Sequence, residues 1–351
     1  MTRTETAEPQ GRDAHQGIRP MRAEDIEECL GVFYAAQDEL HTRNGQQPQP
    51  RNPEAIRRLL NHLLAADPPL VRVASAEGSE VATGVSAFIA ALSRQQFWFL
   101  SFLFVHPEQQ GRGLGRRLLE SVLPGTADDE AGAEAHEDQV GGEAEEDQVD
   151  GELGVRGVRA TCVDALQPVS TGLYARYGLV PRVPLYALPG DLRRDALRQL
   201  PVEVDAEPFE ATIERAGHAA LTAAVTDIDR QLLGYERGID HQLWRAEKRQ
   251  GVLYRARGSG PSLGYGYAQA SGRVGPIAAL DGSLTVGILA DLVRRVTPVG
   301  GWQIIVPGVC AGAMVALLRA GLRVDGSPGL FCSTGPSIDF ERYLPAGFAV
   351  L

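Results

Sequence analysis

The sequence predicts an α/β (α+β) fold built as two consecutive halves, and three features carry that prediction. The stretch Phe97–Leu119, FWFLSFLFVHPEQQGRGLGRRLL, runs from a continuous apolar segment through a glycine turn into a Leu118, Leu119, Val122 stripe, the pattern of strand, turn and helix. Strand and helix patterns alternate on either side of it, from Gly17 to Leu188. The same order returns from Pro201, after a Leu188-Pro189-Gly190-Asp191 boundary, which marks an internal duplication.

Taken in order, residues 1–16 are polar and read as a disordered tail. Gly17–Arg22 reads as a strand, and Ile26, Leu30 and Phe33 then recur at helical spacing. Gly45–Pro53 is a Gln-, Pro- and Asn-rich connection. Ile56, Leu59, Leu60 and Leu63 share one face of a second helix, which Pro68-Pro69 stops. Leu70–Ala74 and Val81–Ala91 read as strands around a Glu77-Gly78-Ser79 turn, and the Phe97 strand follows. Beyond the glycine turn and its helix, residues 126–152 hold twelve Asp and Glu, no Lys or Arg, and a near-repeat, EAHEDQV then EAEEDQV. Like charge without apolar anchors cannot offset ordering entropy, so this insertion reads as disordered. Val158–Val163 is a strand, a short helix carries Leu173 and Tyr174, and Val183–Leu188 closes the first half. In the second half, Val202–Val204 begins a strand and two helices cover 210–250. Strands follow at Val252–Arg255, Leu263–Ala270 and Arg273–Leu280. A helix over Leu284–Val296, a strand at Trp302–Val306, a helix over Ala311–Ala320 and a strand at Leu330–Cys332 complete the order.

Length and composition narrow the function. A chain of 351 residues with 44% hydrophobic content holds two globular domains. The net charge of -11 is local: without 126–152, 33 acidic residues face 34 basic ones, and no basic stripe points to nucleic acid. Cys29, Cys162, Cys310 and Cys332 are far apart, without metal spacing, and read as free thiols in a reducing compartment. No metal is expected. The start of the chain lacks the apolar core of a signal peptide and no run is long enough to span a membrane, so a cytoplasmic monomer or homodimer is the expectation.

The turn itself carries chemistry. Backbone N–H groups at a helix start have no internal partner and carry partial positive charge, so a glycine turn there attracts phosphate. Gln110-x-x-Gly113-x-Gly115, after a strand closing on Leu103-Phe104-Val105, resembles the acetyl-CoA loop of the GCN5-related N-acetyltransferase (GNAT) family. It lacks the Lys-Ser or Lys-Thr of a P-loop and has the wrong glycine order for the dinucleotide fingerprint. A second signature is similar to the family's: Gln167-Pro168, a short helix with Leu173-Tyr174, then Gly178-Leu179, with Gln167 where Asn is usual and Leu179 where Phe is usual.

The resemblance implies two GNAT-like domains, each a mixed, mostly antiparallel central sheet flanked by helices: a catalytic domain over 17–190 and a degenerate one over 201–351. It implies an acetyl-CoA-dependent N-acetyltransferase acting on an amine of a small molecule or peptide. The amides of Gln110, Gly111, Arg112, Gly113, Leu114, Gly115 and Arg116 would grip the diphosphate, Leu103, Phe104 and Val105 would hold the thioester, and Gln167 would border the cofactor. Tyr174 is the candidate acid for the leaving thiolate, since a phenol of pKa about 10 is protonated at neutral pH. Many members carry a carboxylate on the central strand; here Ser101 and Phe102 stand there. For the base that neutralises the amine, Glu39, His41 and a carboxylate at the apolar end Phe348–Leu351 stay open, with a solvent-facing pair the plain reading of Glu39 and His41. Arg116 and Arg117 suit phosphate contact or solvation alike; Tyr177 and Cys162 read as packing residues. In the second half the turn is Asp281-Gly282-Ser283-Leu284-Thr285, and Leu317 falls at the position of Tyr174. The other functional class left open is a non-catalytic module that binds coenzyme A or a partner.

Overall fold

A computed structural model describes residues 17–47, 50–75, 84–125, 157–258 and 260–351. The expected tail 1–16, the acidic insertion 126–152 and the Glu77-Gly78-Ser79 turn lie outside the described residues. Among the described residues, twelve strands and eight α-helices follow the anticipated order, with short 3-10 turns between them, and a thirteenth strand not anticipated follows near the end. The first half holds β1 (Ile18–Pro20), α1 (Ile26–Arg43), α2 (Pro53–Ala66), β2 (Val71–Ser75), β3 (Val85–Arg94), β4 (Phe97–Val105), α3 (Leu114–Glu120), β5 (Val158–Asp164), α4 (Pro168–Ala175) and β6 (Val180–Gly190). The second holds β7 (Val204–Pro208), α5 (Phe209–Leu233), α6 (Gly238–Ala246), β8 (Gln250–Ala256), β9 (Ser262–Ala268), β10 (Arg273–Ala279), α7 (Thr285–Arg295), β11 (Trp302–Pro307), α8 (Ala311–Arg319), β12 (Gly329–Ser333) and β13 (Tyr343–Leu344). Among the described residues no helix is long and apolar enough to cross a membrane.

The chain divides into two compact units: one takes it to Ala91 and again from Phe102, the other takes Leu92–Ser101 and everything from β5 onward. In the first unit β1, β2 and β3 pair antiparallel in register Ile18↔Ala74 and Val71↔Ala90. Helix α1 begins beside Asp25, whose carboxylate accepts from the Arg19 guanidinium at 2.6 and 2.7 Å and from the Arg22 amide at 2.7 Å. The Arg19 bond is the main reason its carboxyl lies below the usual range. Helix α2 opens with Pro53 after Asn52, whose side-chain oxygen accepts from the Ala55 amide at 3.1 Å. Leu60 and Leu63 of its apolar face, with Val71, Val73 and Phe88 of the sheet, expose no surface.

In the second unit the opening part of β4 pairs with β5 in parallel, Phe97↔Val158 to Leu100↔Thr161. The Thr161 hydroxyl donates to Leu100 O at 2.9 Å and pins that last pair. From β5 the sheet continues β12, β6, β11, β10, β9, β8, β7, antiparallel except for the parallel β10–β11 pair. The result is the mixed, mostly antiparallel sheet that was expected. Helices α7 and α8 cover it, with Ile288, Leu292, Ile304 and Leu317 fully buried.

One consequence of this order concerns the duplication. Strand β6, the last of the first sequence half, pairs with β11 from Leu185↔Pro307 to Gly190↔Trp302. Strand β12, which closes the repeated order in the second half, pairs with β5 from Ala160↔Ser333 to Asp164↔Gly329. Each half therefore supplies a closing strand to the other's ladder, and the two exchanged strands pair with each other. A fragment ending at Leu200 would lack β12, exposing the β5 edge and its backbone donors and acceptors. Such a fragment is expected to lose cooperative unfolding in denaturant followed by circular dichroism; a two-state transition at the midpoint of the intact chain would contradict the exchange as a stability requirement.

Candidate functional site

The glycine turn closes β4 in the first unit. His106 N donates to Ser86 O at 2.8 Å, a 3-10 turn spans Pro107–Gln109, and Gln110 is extended. The Gln110 side-chain amide donates back to Val105 O at 3.0 Å, tying the turn to the strand end. Gly111 and Gly113 both adopt φ of 76°, a left-handed conformation costly for any residue with a Cβ, and Gly113 is the N-cap of α3. Among the described residues, no backbone carbonyl accepts from the amides of Gly111 to Arg116; the first backbone donor after them is Arg117 N, to Gly113 O at 3.1 Å. Both left-handed glycines face open space. An anion with several acceptor oxygens meets the needs of such a row of donors, and the diphosphate of coenzyme A is one.

Strand β4 leads into this turn. Its ladder with β5 stops at Leu100, so Leu103, Phe104 and Val105 lie past its end, all partly exposed. Phe102 is buried against Phe33 and Phe88, and Phe104 stacks near Phe88 with centroids 5.7 Å apart. A packed aromatic thus occupies one of the two positions where the family places a carboxylate. Of the base candidates on α1, Glu39 keeps the expected pair, its Oε1 reaching Arg43 at 3.7 Å with both side chains partly exposed, while among the described residues its Oε2, His41 Nδ1 and Tyr34 Oη have no hydrogen-bond partner. Phe33 to Leu40 includes no exposed residue, so α1 is covered on more sides than a simple amphipathic helix.

Tyr174 and Gln167 belong to the second unit. Gln167 precedes Pro168 at the start of α4, and its carbonyl accepts from Thr171 N at 3.1 Å and Thr171 Oγ1 at 2.9 Å. Tyr174 is buried on α4. Burial first, and the Cys332 thiol second, push its phenol well above the ordinary value, while a hydrogen bond with Ser170 pulls weakly the other way. The hydroxyl keeps its proton through neutral and mildly alkaline pH, as a proton donor must. Cys332 reaches this corner because β12 is inserted beside β5; burial raises its own thiol to about 11. Burial likewise raises Cys162, whose environment is that of a packed thiol and not of an activated one.

At the matching places the second half offers different groups. Asp281 Oδ1 accepts from Ser283 N at 2.9 Å, so a carboxylate consumes a donor at the start of α7 and presents negative charge there. Leu317, aligned with Tyr174, is fully buried. The oxygen of Leu351 accepts from the buried Arg237 at 2.8 Å, so that group is engaged. Among the described residues no group of three His, Cys, Asp or Glu side chains could hold a metal ion.

Residues 35–136 match the model of the acetyltransferase (GNAT) family. Among solved structures the chain is similar to a putative acetyltransferase from Pyrococcus horikoshii, with 16% identity, 99% of this chain and 100% of that chain covered, and a TM-score of 0.64. It is also similar to a GCN5-related N-acetyltransferase from Sphaerobacter thermophilus (16% identity, 92% and 97% covered, TM-score 0.52). A tandem GNAT protein from the clavulanic acid biosynthesis pathway shows 14% identity, 91% and 99% coverage, and a TM-score of 0.50. At these identities the likeness is one of fold. No curated protein matches the sequence.

The glycines of the turn differ in a way that stability can read. Gly113→Ala forces a Cβ into the left-handed region and is expected to cost about 1–2 kcal/mol. At Gly115 the φ is ordinary and an added Cβ would lie 3.5 Å from Val105 Cγ2, a normal contact. Gly115→Ala should therefore leave stability unchanged or raise it by up to about 1 kcal/mol in denaturant melts. The reverse ranking would contradict the turn geometry.

Proposed function

We propose that this chain, whose residues 35–136 are a segment of the acetyltransferase (GNAT) family, is an acetyl-CoA-dependent N-acetyltransferase that passes the acetyl group directly to an amine of a small molecule or peptide in a ternary complex. The observation that carries the reading is the row of amides from Gly111 to Arg116, beyond the end of β4, that have no backbone acceptor among the described residues. These donors receive the diphosphate of coenzyme A, and the Gln110 bond to Val105 O keeps the turn against the strand while they do so. The main chain of Leu103, Phe104 and Val105 orients the thioester and polarises its carbonyl.

A neutral amine nitrogen attacks the thioester carbon, the new C–N bond forms, and the C–S bond breaks with its electron pair left on sulfur. Tyr174 supplies the proton that converts the thiolate to free coenzyme A, consistent with a phenol held protonated by burial, and the proton that the acylated nitrogen releases returns through water to the phenolate. An alkylamine with pKa near 10.4 is mostly charged at neutral pH and must shed a proton before attack. Glu39, whose carboxylate pairs with Arg43 through Oε1 and has no hydrogen-bond partner at Oε2 among the described residues, and His41 are the candidates to take it or relay it through water. The degenerate second half contributes no second catalyst in this reading: it offers Leu317 where the first half has Tyr174, and a carboxylate-capped turn where the first half has free amides.

Free-thiol release from acetyl-CoA across a panel of amines tests the reading. Tyr174→Phe should lower kcat by about 10²-fold or more with the coenzyme A dissociation constant nearly unchanged, since general-acid contributions are of that size. Equal loss of kcat and affinity in the Tyr174 variant would remove its assigned role. Tight coenzyme A binding without thiol release from any amine would leave a binding module instead of an enzyme.

A further inference from the structure

We propose that the gap between β10 and β11 is a peptide site whose occupant is the chain's own segment Arg342–Pro345, docked permanently as β13, so that each chain holds a single coenzyme A. The part concerning coenzyme A rests on the acetyl-CoA reading above; the docked strand does not.

In each half a parallel ladder ends partway along its longer strand. In the first half the last β4–β5 pair is Leu100↔Thr161. In the second the last β10–β11 pair is Val274↔Ile304. Three to five residues further on lie Leu103, Phe104 and Val105 in β4, and Ile277, Ala278 and Ala279 in β10. Among the described residues, no strand other than β3 and β5 neighbours β4. Along β10, however, Ile277 pairs with Leu344, Ala278 pairs with Tyr343, and Ala279 N donates to Arg342 O at 3.0 Å. The opposite edge of these residues is already taken by β9, so β13 fills the side that β11 leaves. The three positions that would orient a thioester in a working domain are satisfied by the chain's own backbone.

Side chains hold the segment in place. Gly275 makes room for it: a Cβ there would stand 2.5 Å from Pro345 O. Arg342 donates to Leu280 O at 3.1 Å and pairs with Asp339 at 2.6 Å. Tyr343 and Leu344 expose no surface. The Tyr343 hydroxyl accepts from Arg237 at 2.5 Å, and that guanidinium also donates to Asp229 at 3.0 Å and to the Tyr265 hydroxyl. Asp229 takes His241 Nε2 at 2.9 Å, and His241 Nδ1 meets the Tyr267 hydroxyl at 2.8 Å. The guanidinium lies 5.0 Å from the ring centroids of both Trp244 and Tyr343. Lifting Tyr343 away would strip a buried cation of a hydrogen-bond acceptor and an aromatic face together, which favours a fixed strand over a switch.

Hydrogen exchange by mass spectrometry on the intact chain tests the docking. Peptides covering 277–280 and 342–345 should exchange as slowly as those of β8 and β9, with and without saturating coenzyme A. Faster exchange there than in β8 and β9, or protection that changes on adding coenzyme A, overturns a permanently docked strand. Calorimetry with coenzyme A should give one site per chain, abolished by Gly113→Val in the first-half turn. Two sites, or binding that survives Gly113→Val, overturns the single-site claim. No binding at all to the unaltered chain overturns that claim together with the acetyl-CoA reading, while the docked strand stands or falls on exchange alone.

Discussion

Backbone N–H and C=O groups along a strand edge must find partners, and how each half meets that demand decides what it can do. A parallel ladder that stops partway along its longer strand leaves main-chain groups on the unpaired stretch. In β4 that stretch is Leu103–Val105, past the end of the β5 ladder, and it runs into a turn whose amides from Gly111 to Arg116 have no backbone acceptor among the described residues. In β10 the equivalent stretch is paired with β13, and the following turn is capped by the carboxylate of Asp281. Among the described residues, the same supersecondary order thus leaves turn amides without backbone acceptors in one half and an added strand pair in the other.

The two halves are nonetheless not separable pieces. Strands β6 and β12 each complete the other half's ladder, and β12 brings Cys332 beside Tyr174, so a residue far along the sequence helps fix the ionisation of the candidate acid. Residues Leu92–Ser101, at the tip of the β3–β4 hairpin, are likewise held in the second unit. Arg94 is buried against Asp240 through bonds of 2.8 and 3.1 Å, and Phe97 stacks on Tyr235 with centroids 4.5 Å apart. The strand that carries the candidate thioester groups therefore begins among the charged and aromatic side chains of the second unit.

Much of this was legible in the sequence because the informative segments are long and strongly patterned. The Phe97–Val105 run, the paired glycines and the apolar face of α2 each follow from local composition, and the structure places the elements within a few residues of expectation. Strand β6 is the instructive exception. It extends over Val180–Gly190, beyond the Val183–Leu188 expected, because Pro181, Pro184 and Pro189 argue against a central strand, whereas it runs between β12 and β11. Strand exchange was invisible for a different reason: alternation reports which face of a strand is buried and says nothing about its neighbour. Strand β13 has two residues, too few for any periodicity, and lies among Pro and Gly. Glu39 and His41 read as surface residues; Glu39 does pair with Arg43, and only tertiary packing of α1 reveals that Glu39 Oε2 and His41 Nδ1 are buried atoms with no hydrogen-bond partner among the described residues.

The central claim is that free amides at the close of β4 bind coenzyme A while their counterparts in β10 do not. Amide chemical shifts followed by nuclear magnetic resonance during a coenzyme A titration address it residue by residue. Shifts concentrated at Leu103–Val105 and Gly111–Arg116, with Ile277–Ala279 unmoved, are the predicted result. Shifts at Ile277–Ala279, or none along the glycine turn, would contradict it.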